Sequence, residues 1–327
     1  MRTQAHGPSG QTEPWLMVKL AADRKQGDLN MLLKSGADPN VVVKVEWREF
    51  PTSPLLEASV SGHTRVARML LSAGAEVNTA VGPGYTALYN AAYNGHVDAV
   101  NLLLEHGAEV DAVTDDHFTP LYIACQEGYH ECVQQLLGSG ADVNHARPDE
   151  GATALYIAAQ NGHARCVQEL LANGVLIDKP MHDGSTPLMI ACYMQNTRVV
   201  ELLLRAGASL HLVDNRNRSA LDWAKRRGDA LVVALVQEEL AARGAAIIQG
   251  KASGFDFFAR SLAGCVPGAD ACVPRIKKAA DSTSTTSKAG GAAKGGRGPL
   301  ANVNDAATAS SKNGDGGICA ALCKCCR

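Results

Sequence analysis

Aromatic residues are scarce in this chain, 5% of 327 residues. A single thick core at that length draws on many large rings, so the shortage argues for thin, closely stacked layers, which the abundant glycine and alanine also suit. A dominant charge is missing as well: 31 Lys and Arg face 33 Asp and Glu, a net of −2, which gives no general attraction to nucleic acid. No apolar run approaches the roughly 20 residues of a membrane span. The opening MRTQAHGPSG is too polar for a signal peptide or a myristoylation site, so the expected compartment is the cytosol. Ten cysteines are present, but those in the body of the chain stand singly at apolar positions, which points to reduced thiols rather than a disulfide framework.

What the chain does have is internal repetition. Ser53, Thr86, Thr119, Thr153, Thr186 and Ser219 each open a small-polar, Pro/Ala, Leu triplet, and successive members lie 33 or 34 residues apart. Five residues after each comes alanine (Ala58, Ala91, Ala124, Ala158, Ala191, Ala224). Glycine follows four later in all but one (Gly62, Gly95, Gly128, Gly162, Gly228), with Gln195 the exception. A Leu-Leu pair and a second glycine then close most units. The hydroxyl predicts a helix N-cap, proline is tolerated in the first helical turn, alanine permits close helix approach, and glycine supplies the left-handed turn. Each unit therefore reads helix, turn, helix, hairpin. Thirty-odd residues cannot bury two apolar faces alone, so the units must stack into a solenoid.

The segments TPLYIACQEGYHECVQQLLGSGADVN and TALYNAAYNGHVDAVNLLLEHGAEVD resemble ankyrin repeats. The resemblance covers about 230 residues and implies an all-α solenoid of stacked helix-turn-helix units with projecting β-hairpin loops. It also implies the usual role of that family, binding other proteins without catalysis. About seven repeats are expected over 15–243, the last serving as a cap. The first is degenerate, with a second helix nearly one turn too short when counted from Gly27. Residues 1–14 are expected to be flexible. Tyr89, Tyr122 and Tyr156 replace the motif histidine and are expected to pack, their hydroxyls bonded to a neighbouring turn. His63, His96 and His163 follow the glycine turns and are expected to hydrogen-bond there.

In ankyrin proteins recognition uses the concave face, that is, exposed positions of each first helix, together with the hairpin tips. Carried onto this chain, the helix positions are Val60 and Ser61, Tyr93 and Asn94, Gln126 and Glu127, Gln160 and Asn161, Tyr193 and Met194, and Arg226 and Arg227. The tips contribute Tyr85, Asp115, Asp116, Phe118, Asp149, Glu150, His182, Asp183, Arg216 and Arg218. Such a face is acidic in its middle and basic at its C-terminal end, which would steer a partner of opposite gradient. The first hairpin, NVVVKVEWREFPTSPL, alternates Val43, Val45 and Trp47 with charged residues, the pattern of a longer two-stranded finger. Trp47 and Phe50 then either anchor a partner or fold back over the weak first repeat.

No catalytic constellation, cofactor motif or metal site accompanies the repeats. Cys125, Cys132, Cys166 and Cys192 read as core spacers, and the repeats hold no Cys-x-x-Cys pair to assemble zinc. Beyond the period, residues 244–277 read as a partly ordered extension, and 278–327 have the Ser/Gly/Ala composition of a disordered tail. Its end, ICAALCKCCR, clusters Cys319, Cys323, Cys325 and Cys326, a pattern that would permit S-acylation and hence membrane attachment. The expectation is a monomeric protein-binding module with no nucleic-acid partner, reaching a membrane only if those cysteines are acylated.

Overall fold

In the computed structural model, which describes residues 14–248, the period becomes seven successive helix pairs. They are α1 (Pro14–Ala22) with α2 (Gln26–Lys34), α3 (Pro54–Val60) with α4 (Thr64–Ser72), and α5 (Ala87–Tyr93) with α6 (Val97–Glu105). Next come α7 (Pro120–Glu127) with α8 (His130–Gly138), and α9 (Ala154–Asn161) with α10 (Ala164–Ala172). The last are α11 (Pro187–Tyr193) with α12 (Thr197–Arg205), and α13 (Ala220–Arg227) with α14 (Ala230–Ile248). Odd-numbered helices stack on odd and even on even, so each pair extends two layers at once. In the second to sixth pairs the first leucine of the Leu-Leu doublet (Leu70, Leu103, Leu136, Leu170, Leu203) is fully buried between the layers, each worth roughly 2 kcal/mol of apolar burial. The repeated alanines, Ala58 to Ala224, are likewise without exposed surface, because only a methyl group fits where the helices approach.

The caps follow the sequence. Ser53, Thr86, Thr119, Thr153, Thr186 and Ser219 each accept, through the hydroxyl, the backbone N–H three residues on, and Ser219 adds a reciprocal bond to Asp222. The glycines do more than turn the chain. At Gly62, Gly95, Gly128 and Gly162 the next repeat lays a side chain where a Cβ would stand: His96, Tyr129, His163 and Asn196, each within 2.5–2.7 Å of that position. The incoming imidazoles then bond the helix end they cover. His63 Nε2 meets the carbonyl of Ala22, His96 that of Val60 and His163 that of Gln126, at 2.9–3.0 Å. In the divergent turn Gln195 takes the left-handed conformation (φ 61°) and Asn196 replaces the imidazole, donating to the carbonyls of Ala159 and Gln160.

A second ladder joins the loops that follow the even helices. Asn40, Asn78 and Asn144 each accept the backbone N–H of Glu76, Glu109 and Leu176 one repeat further on, and Asp111 and Asp178 do the same for Asp142 and Ser209. At the C-terminal end, α14 buries Val232 and Val236, and Arg243 donates to the carbonyls of Leu204 and Ala208, closing the end of α12.

Two expectations are corrected. The second helix of the first unit is not short: α2 has nine residues, as α4 does. Arg24, at φ 57°, occupies the left-handed turn that glycine takes elsewhere, and Gly27 lies inside the helix, so counting from Gly27 started from the wrong residue. The first hairpin is not a two-stranded finger either. A single bridge, Val43 with Thr52, forms, and the chain turns where the Val45 carbonyl accepts from the N–H of Arg48. Val45 is buried, and Arg48 reaches back to the buried Glu57 with both Nε and Nη2, at 2.8 and 2.9 Å, while Thr52 donates to the same carboxylate. Inward demand thus ends the ladder. Among the described residues the other bridges are equally isolated and no longer strand forms. Residues 244–248, which open the expected extension, continue α14; the rest of the extension and the tail lie outside the described residues, as do the first 13.

Two glycines separate turn strain from stacking. Gly140 has φ 88° with open space around its missing Cβ, so Gly140→Ala is expected to cost only the left-handed strain, about 1–2 kcal/mol. Gly128→Ala meets the same strain plus the His163 ring, and its loss is expected to exceed that of Gly140→Ala by about 1–3 kcal/mol in denaturant unfolding.

Candidate functional site

The C-terminal turns of α5, α7, α9, α11 and α13 lie one beside the next, and the loops ahead of each helix flank them. Among the expected contact residues, Trp47, Asp115, Asp116, Glu127, Asp149, Glu150, Asn161, Met194, Arg216, Arg226 and Arg227 are exposed. Tyr85, Tyr93, Asn94, Gln126, Gln160, Tyr193 and Arg218 are half-buried. Phe118 is buried, which corrects its placement at a tip. Phe50 leans forward, its ring edge-on to Tyr85 at 6.4 Å, rather than back over the first repeat. Trp47 remains half exposed.

Phe118 is covered because Arg147, which the sequence reading overlooked, lies on it. The guanidinium stands 4.3 Å above the Phe118 ring and 5.8 Å from Tyr122, and it pairs with Asp149 and Glu150. The cation thereby offsets part of the negative middle of the face. Its sequence signal was a lone arginine beside two acids, ARPDE, which is unremarkable without knowing that an aromatic pair lies one repeat away. Tyr89, Tyr122 and Tyr156 are buried as packing residues. Burial pushes their phenols upward, that of Tyr156 to about 12, and the Tyr156 hydroxyl meets Ser185 Oγ at 3.3 Å. The bond of Tyr156 to the next loop is as expected, while Tyr122 turns to Arg147.

The C-terminal end of the face is organised by one buried carboxylate. Asp214 accepts from Arg218 Nε at 2.7 Å, Trp223 Nε1 at 3.0 Å, and the backbone N–H groups of Arg216 and Arg218 at 2.9 Å. Arg218, expected to be free at a tip, is instead tied to Asp214 and lies 4.8 Å over the Trp223 ring. Trp223 meets Tyr193 edge-on at 5.5 Å, and Arg227 lies 5.0 Å over Tyr193. Two rings and two guanidiniums are therefore fixed before any contact is made. Neither Trp223 nor Asp214 stood out in the sequence, since a helix tryptophan reads as core until its indole N–H is seen to be held. Burial works against ionisation of Asp214, but the hydrogen bonds from Arg218, Trp223 and the loop amides outweigh it and hold the carboxyl at about 2.

Among the described residues the cysteines are enclosed in the core rather than presented on this face. Cys125, Cys132, Cys166 and Cys192 are free and fully buried, and burial pushes Cys132 and Cys192 up to about 12 and raises Cys125. Among the described residues no cluster of His, Cys, Asp or Glu could hold a metal ion.

A family model described as ankyrin repeats (3 copies) matches residues 18–114, 55–147, 121–214 and 155–243. Among solved structures, the crystal structure of the human ASB11 ankyrin repeat domain is similar to this chain, with a TM-score of 0.60 and 31% identity. The match covers 68% of this chain and 96% of that one. No curated protein matches by sequence.

The Asp214 network fixes a pH dependence. Its carboxyl is lowered from 3.8 to about 2 on folding, so its contribution is present above pH 4 and lost as the pH falls through the interval down to 2. Asp214→Asn is expected to be less stable than the native chain at neutral pH by about 1–2 kcal/mol. In urea unfolding the gap between the two should narrow steadily below pH 4, and a gap independent of pH would contradict the assignment.

Proposed function

The chain belongs to the ankyrin-repeat family, and from that premise we propose that it is a non-enzymatic adaptor or scaffold. It binds protein partners through the concave first-helix face and the hairpin tips, as a cytoplasmic monomer. One observation carries the reading: positions that pack repeat the same residue types from unit to unit, while the exposed or half-buried ends of the odd helices carry a different pair of residues in every unit. There the chain presents Tyr93 and Asn94, then Gln126 and Glu127, then Gln160 and Asn161, then Tyr193 and Met194, then Arg226 and Arg227. A fixed frame with changing side chains suits recognition of one particular surface. The shifted ionisable groups support the same reading, since each has a structural cause: burial for the tyrosines and for Cys125, Cys132 and Cys192, a hydrogen bond with Cys125 that lowers Cys166, and capping or loop hydrogen bonds for Asp214 and Asp222.

A tethered form of this function rests on Cys319, Cys323, Cys325 and Cys326, which lie outside the described residues. No helix among the described residues is long and apolar enough to cross a membrane. The expected result of changing all four cysteines to serine is a shift of the protein from the membrane to the soluble fraction; unchanged fractionation would remove the tether.

The binding role is tested by affinity capture with the full chain. The triple variant Tyr93→Ala, Tyr193→Ala, Arg226→Ala is expected to recover the main client about tenfold less well. An outer-layer variant, Arg65→Glu with Arg68→Glu, should recover it normally, and equal recovery by both variants would sink the assignment of the face.

A further inference from the structure

Four cations at the C-terminal end of the stack, Arg216, Lys225, Arg226 and Arg227, are exposed, and none has an ion-pair partner among the described residues. The nearby acids already serve other groups. Asp214 holds Arg218 and Trp223, Asp222 holds the N–H and hydroxyl of Ser219, and Asp229 accepts the N–H of Leu231. Arg227 lies over Tyr193, which meets Trp223 edge-on, and the exposed side chain of Met194 is next to Tyr193 in sequence. Positive charge and a fixed apolar floor therefore occur together, and the floor needs little ordering on contact because Asp214 and Arg227 already hold it.

We propose that this patch docks a short acidic peptide segment of a partner protein. Its carboxylates pair with Arg216, Lys225, Arg226 and Arg227, and one apolar side chain rests on Tyr193 and Trp223. The proposal deepens the protein-binding reading above and rests on it. Bidentate guanidinium contacts suit carboxylates, and six extended residues span about 20 Å, enough to cross a helix end and its loop. Charge elsewhere on the same face limits the length of the acidic stretch. Asp115, Asp116 and Glu127 are exposed on earlier repeats, so an anion continuing in that direction meets repulsion. A nucleic acid carries its phosphates along its whole length, whereas a peptide need be acidic only at one end. The net charge of −2 points the same way.

The probe is a fluorescein-labelled peptide of about twelve residues, half of them Asp or Glu and including one Phe and one Leu. A lysine peptide and a single-stranded DNA of matching length serve as the other arms, all titrated into the full chain by fluorescence anisotropy at low and physiological salt. The acidic peptide should bind saturably and weaken with salt, Arg226→Glu with Arg227→Glu should weaken it about tenfold or more, and Arg65→Glu with Arg68→Glu should change it less than about twofold. Both variants are expected to melt within a few degrees of the native chain, which separates lost binding from lost fold. Absence of saturable binding, equal loss in the outer-layer variant, or tighter DNA binding abolished by the same face variant would each overturn the proposal. A client still captured normally by the Arg226→Glu, Arg227→Glu chain but lost on Tyr93→Ala would overturn this docking site alone and leave the general binding role standing.

Discussion

No repeat in this protein owns an interior; each shares one with its neighbours, and the sharing is enforced where a glycine of one unit meets the side chain that follows the turn in the next. At Gly62, Gly95, Gly128 and Gly162 the backbone is both left-handed and too close to the incoming side chain to carry one of its own. One residue thus answers two demands, the reversal of the chain and the contact distance between units. The imidazoles that fill the space also bond the carbonyls at the end of the preceding odd helix, groups that would otherwise lack a helical partner. Stacking and capping are one event here, and the neighbour supplies the cap.

This division of labour explains why function can sit on the odd-helix ends. Leucine, alanine and the capping hydroxyls fix the frame, and the loop ladder running through Asn40, Asn78, Asp111, Asn144 and Asp178 fixes the connections. The side chains left over at the odd-helix ends are exposed or half-buried, and the pair they form differs from unit to unit. Two of the connections carry an extra brace of their own. Arg147 spans Phe118 and the acids Asp149 and Glu150, and Asp214 gathers Arg218 and Trp223. Both place a cation on an aromatic ring and a carboxylate behind the cation, so that charge and ring are presented in a set orientation. A second buried carboxylate besides Asp214, Glu57, does similar work for the long first loop by holding Arg48 and Thr52. These loops contain little strand, and side-chain bonds to carboxylates take its place.

The repeat, its period, the capping hydroxyls and the alternation of two helices per unit were legible in the sequence, because each follows from a local need: a hydroxyl before a helix, a glycine where φ is positive, an apolar residue every third or fourth position. The packing role of Tyr89, Tyr122 and Tyr156 was legible for the same reason, as they recur in step with the frame. What the sequence did not decide was which charged and aromatic residues face one another across repeats. Phe118 looked like a tip and is covered; Arg218 looked free and is held; Arg147 and Trp223 drew no notice and organise their surroundings. Arg24 stood in for a glycine, and the nearby Gly27 misdirected the count. Local backbone chemistry is encoded within a few residues and so can be read from them, and the ion pairs of Arg147 and Arg218 are just as local but depend on how each loop folds; the ring contacts of Arg147 with Phe118 and Tyr122, and of Trp223 with Tyr193, join separate repeats, and only stacking brings them within reach.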